Sequence, residues 1–114
     1  MSGDKKLLTE EELKEKKALD SLVRSLAADY KRRQRILREG SPAARVKMEL
    51  VYLNSKIYDA AAEICGENLA LAFIGEIGEG IGYASSSICC LGEWAYKTYK
   101  ADIVRNIARK LYLV

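Results

Sequence analysis

The chain has 114 residues, 49% hydrophobic and 31% charged, a balance that excludes intrinsic disorder as its ground state and leaves room for one domain only. Nineteen Lys and Arg against sixteen Asp and Glu give a net charge of +3, and there is no histidine. The three cysteines (Cys65, Cys89 and Cys90) would therefore need a carboxylate or a second chain to complete a zinc site, and no imidazole is present to activate a thiolate. No metal, cofactor, small-molecule substrate or catalysis is expected, and the odd cysteine count argues against a disulfide framework.

Residues 1–8 read as a flexible tail before a single helical domain over 9–114. In the stretch from Met1 to Glu12 only Leu7 and Leu8 break a polar sequence, so no secretory core is predicted. No apolar run approaches the roughly 20 residues that span a bilayer, so a cytoplasmic protein without membrane contact is expected. The only proline, Pro42, leaves long stretches open to helix, and Ala, Leu, Glu, Lys and Arg dominate them. The predicted fold class is all-α: a long helical hairpin followed by a helix-turn-helix-like unit.

Thr9 followed by Glu10, Glu11 and Glu12 has the form of a helix start with a capping box. One helix is predicted over 9–39, solvated in its first section and apolar along one face from Leu19 through Leu22, Val23, Leu26, Tyr30, Ile36 and Leu37. Gly40 ends it, and Ser41 and Pro42 restart the chain as cap and first helical residue. A second helix over 42–65 carries Val46, Leu50, Leu53, Ile57, Ala61 and Ile64 in a stripe, and the short connection predicts an antiparallel hairpin. Val23, Leu26, Tyr30 and Leu37, interrupted by Arg33, offer a homodimer seam; contact with the second helix of the same chain is the commoner outcome.

A third segment, Glu67 to Ile81, is apolar and then glycine-rich, and a last helix is predicted from Trp94 to Leu113. The glycine cluster lacks a Gly-Lys-Ser/Thr ending and carries Glu76 and Glu79, which does not suit a phosphate loop. Its spacing matches a helix-turn-helix skeleton over 67–114 instead. Gly78 would be the small residue at the helix crossing, Gly82 the turn residue with positive φ, and Ile88 the inward apolar anchor. Ser85 would cap a second helix from Ser86 to Leu91, presented to the DNA major groove. Between Glu67 and Gly92 there are three acidic residues and no Lys or Arg, so phosphate contacts must come from flanking helices. Lys31, Arg32, Arg33 and Arg35, with Arg38, form one basic stretch; the last helix carries Lys97, Lys100, Arg105, Arg109 and Lys110 against Asp102.

Gly80-Ile-Gly-Tyr83, Ser85-Ser-Ser, Glu93-Trp-Ala-Tyr96-Lys97 and Asn106-Ile-Ala-Arg-Lys-Leu111 resemble the C-terminal region of small phage-type transcription regulators of the RinA and ArpU kind. The resemblance implies a non-enzymatic, sigma-factor-like helix-turn-helix in which Ser85, Ser86 and Ser87 approach DNA and Lys97 and Lys100 contact its backbone. Ser86, Ser87, Cys89 and Cys90 stand where that pattern has basic and amide residues. The expected function is a DNA-binding transcription regulator of phage or mobile-element type, acting as a dimer. The alternative is a helical interaction or accessory protein that self-associates without DNA.

Overall fold

Thr9 begins the first helix by the predicted exchange. Its hydroxyl accepts the Glu12 amide at 3.1 Å and its own amide donates to the Glu12 carboxylate at 3.0 Å, so the backbone donors at this helix end are met reciprocally. The computed structural model describes residues 8–88 and 90–111. Those residues form α1 (Glu10–Ala28), α2 (Tyr30–Glu39), α3 (Ala44–Cys65), α4 (Glu67–Glu79) and α5 (Glu93–Lys110), with a one-turn 3-10 helix at Tyr83–Ser85. The fold is all-α, with no strand among the described residues. Most of the tail assigned to 1–8 and the last residues of the helix predicted to reach Leu113 lie outside the described residues.

The helix predicted as continuous over 9–39 is broken at Asp29, whose φ of −89° and ψ of 2° leave the helical range. Two contacts account for the bend. Gly78 of α4 lies so close to the end of α1 that a Cβ there would sit 2.7 Å from Ala28 N and Cα. The Arg33 guanidinium reaches back across the bend to the Leu26 carbonyl, and a side chain inserted into the hydrogen-bond ladder is a common origin of a kink. Past Asp29 the chain no longer follows α4.

The hairpin is consequently smaller than predicted: α2 pairs with α3, while α1 packs on α4 and α5. Helix α3 starts at Ala44 rather than 42, with Ala43 as its N-cap and no side-chain cap, so neither Ser41 nor Pro42 takes its predicted place. At the far end Gly66, with φ +86°, turns the chain directly into α4. Helix α4 closes on Gly80 in the left-handed conformation, and the Ile81 amide bonds the Glu76 carbonyl at 3.0 Å, as in a Schellman motif.

The core lies where α3, α4 and α5 meet. Ile57, Phe73, Ile77, Tyr96, Ile103 and Ile107 are fully buried there, with Val23 and Ala27 added from α1. Small residues at Ala60, Ala61, Ala70 and Ala108 let these helices approach closely. Asn106 fastens α5 to α3 by donating to the Ala60 carbonyl at 3.1 Å and to Glu63 at 3.2 Å. The stripe expected as a dimer seam faces inward: Val23 and Tyr30 are buried, and Leu26 and Leu37 half-buried. Leu22 and Ile36, predicted on the apolar face of the first helix, are 45% and 39% exposed.

The molecule measures 55 × 34 × 21 Å, and its radius of gyration of 15.6 Å exceeds the roughly 13 Å of a compact domain near 100 residues. The excess reflects a projecting arm. No residue of α3 before Asn54 is buried, and this first half of α3 together with α2 stands off the α1, α3, α4 and α5 body.

Candidate nucleic-acid interface

A carboxylate organises the region read as a helix-turn-helix. Glu76 sits on the inward face of α4, 5% exposed, between core positions Phe73 and Ile77. It accepts hydrogen bonds from the Ser86 hydroxyl at 2.6 Å, the Ser87 amide and hydroxyl at 2.9 Å each, and the Tyr96 hydroxyl at 2.7 Å. Burial pushes the carboxyl pKa up, but the bonds from Ser86, Tyr96 and Ser87 outweigh it and hold the group below its ordinary value. These bonds draw the segment after Tyr83 against α4 in an extended path.

The predicted second helix from Ser86 to Leu91 is therefore not formed: residues 86–88 and 90–92 are non-helical, and Cys89 lies outside the described residues. Ser86 and Ser87 spend their hydroxyls on Glu76, leaving Ser85, at the exposed end of the 3-10 turn, as the one predicted serine without that tie. Gly82 is extended, at φ −94°, and the left-handed residue is Gly80. Gly78 does mark a helix crossing, but the helix crossing it is α1. Ile88 is buried, as the skeleton requires. An acid on the inward face of an apolar helix was the sequence signal for this arrangement, since a buried carboxylate must find donors.

The predicted basic residues fall into two groups. Lys31, Arg32 and Arg35 are exposed on α2, along with Arg38, and Arg45 and Lys47 are exposed at the start of α3. Arg32, Arg38 and Arg45 have neighbouring acids at 3.2, 3.4 and 4.0 Å; Lys31, Arg35 and Lys47 have no ion-pair partner among the described residues. Arg33 does not belong with them. It is buried, its Nε donates to Asn54 Oδ1 at 2.6 Å, and Asn54 in turn donates to the Tyr30 carbonyl at 3.1 Å, so this arginine fixes α2 on α3.

Lys97 and Lys100 lie apart from the arm, in a groove of about 430 Å³ between α1 and α5. Lys16 and Arg24 of α1 and Arg105 of α5 complete its basic rim, with Asp20 as the one acid, over a floor of Leu19, Ile77, Ala101, Val104 and Ala108. Lys97 is exposed and pairs with Glu93 at 2.6 Å. Lys100 is half-buried and donates to the Ile81 carbonyl; burial and then the nearby Arg24 lower its pKa, against an opposing pull from Glu76.

Fold and site together define an all-helical protein with a basic projecting arm and no exposed recognition helix between Ser86 and Leu91. No protein family, curated protein or solved structure matches the chain at a significant level.

Proposed function

We propose that the protein is a non-enzymatic DNA-associated regulator that holds the phosphate backbone with the α2–α3 arm, without base reading by a helix-turn-helix. The observation that carries this reading is the distribution of charge. Residues 30–50 hold seven Lys and Arg against two Glu, net +5, so the rest of a +3 chain is net −2. Six of those seven cations are exposed. Counterion release from DNA rewards such a cluster whatever the base sequence. The transcription-regulator role implied by the C-terminal resemblance then rests on the arm for its affinity.

Titration of labelled duplex at several salt concentrations tests this. Binding weakens linearly with log salt, and replacing Lys31, Arg35 and Lys47 by Ala lowers the slope by about one per lost phosphate contact. Ser85→Ala leaves binding unchanged. Binding indifferent to salt, or to the triple replacement, overturns the proposal. The accessory-protein reading draws on Met48 and Trp94, 73% and 79% exposed, and is favoured if no duplex binds at all.

A further inference from the structure

The first turns of α1 form an exposed helical tip. Every residue from Leu8 to Ala18 is exposed, yet the capping box at Thr9 fixes the helix from its first residue. Up to Glu15 the tip is acidic and partly apolar: Glu10, Glu11, Glu12 and Glu15 stand against Lys14, Leu8 and Leu13 are each 43% exposed, and Lys16 and Lys17 follow where the groove begins. The groove between α1 and α5 has the opposite character, with a rim of five cations against Asp20 above an aliphatic floor. Six residues of tip, Glu10 to Glu15, extend about 9 Å, and the groove runs about 16 Å along α5 from Lys97 to Ala108.

We propose that the protein pairs with a second copy of itself, the acidic tip of each α1 lying in the basic α1/α5 groove of the other. Tip and groove follow one another along a single helix, so the tip cannot fold back into its own groove. A two-fold axis beside the middle of α1 brings both tips onto both grooves at once, a closed and self-complementary contact. The aliphatic floor favours a helix bearing leucines over a nucleic-acid strand, which would use the rim alone, and no aromatic side chain lines the groove for base stacking. Lys97 and Arg105 pair with Glu93 and Asp102 on their own helix in exposed bonds of little worth, so exchanging those partners costs little. The tip is already helical, which keeps the ordering cost low.

Sedimentation of the full chain over a wide concentration range tests the pairing independently of DNA. The expected species has twice the chain mass of 12.7 kDa and dissociates as salt rises. Glu11→Lys with Glu15→Lys, and separately Lys97→Glu with Arg105→Glu, each weaken it about tenfold or more, with helicity by circular dichroism unchanged. An equimolar mixture of the two variants dimerises better than either variant alone, because the reversed tip then meets a groove that is no longer basic and the acidic tip meets an unaltered basic one. A monomer at all concentrations overturns the proposal, as does a dimer indifferent to both reversals. So does a mass growing beyond two chains, or a wild-type monomer whose duplex binding is lost in the groove variant, which would assign the groove to nucleic acid.

Discussion

Gly75 and Gly78 are three positions apart on α4 and have opposite meanings. A Cβ on Gly75 meets nothing within 4 Å, so Gly75→Ala gains about 0.5–1 kcal/mol from reduced backbone entropy in the unfolded chain. A Cβ on Gly78 would press on Ala28 backbone atoms at 2.7 Å, which cannot swing aside, so Gly78→Ala loses about 1–3 kcal/mol despite the better helix former. Urea unfolding midpoints moving in opposite directions are the expected result. Glu76 makes a second test at this scale. Because its folded pKa is depressed, its stabilisation is present above its ordinary value of 4.5 and is lost as pH falls through and below that value. Glu76→Gln should therefore melt lower than wild type at neutral pH, with the gap closing in acid; a gap constant with pH contradicts the role given to the carboxylate. The sequence showed Glu76 as a charge unsuited to phosphate. What it could not show was that the serines read as facing DNA would be its donors, because that depends on how α4 packs.

At the level of elements, the starts and stops set by local chemistry were legible. The capping box at Thr9, the glycines after Glu39 and Cys65, and the stripes of α3, α4 and α5 placed most boundaries within a few residues, while the turn assigned to Gly82 falls at Gly80. The bend at Asp29 was not, since no proline or glycine marks it and its causes, the close approach of Gly78 and the Arg33 bond back to the Leu26 carbonyl, exist only once the helices are packed. Arg33 had a legible signature as the residue interrupting an apolar stripe, but its neighbours made it look like one more surface cation. Arg33→Ala strands Asn54 Oδ1 and the Leu26 carbonyl without their donor, at a cost of about 1–3 kcal/mol. Lysine does not rescue it, because a single ammonium lacks the fork that reaches both acceptors. Amide exchange in both variants should quicken first in α2, with α4 little affected; uniform loss of protection would deny Arg33 this local role.

For the whole molecule, charge is unevenly divided among the parts of the fold. The arm carries the excess of cations, the tip of α1 carries acid, and the segment from Glu67 to Gly92 has no cation. Composition gave the near-neutral total and hid this polarity, because the two signs nearly cancel. The bend at Asp29 then acquires a mechanical meaning. The helix that lines the groove and the helix that carries the arm's cations are one crank, braced across its elbow by the Arg33 bond to Leu26. That bond ties the position of α2, and so of the arm, to the end of the helix that lines the groove. Whatever factor a groove occupant imposes on the DNA binding proposed for the arm, DNA must impose the same factor on the groove occupant.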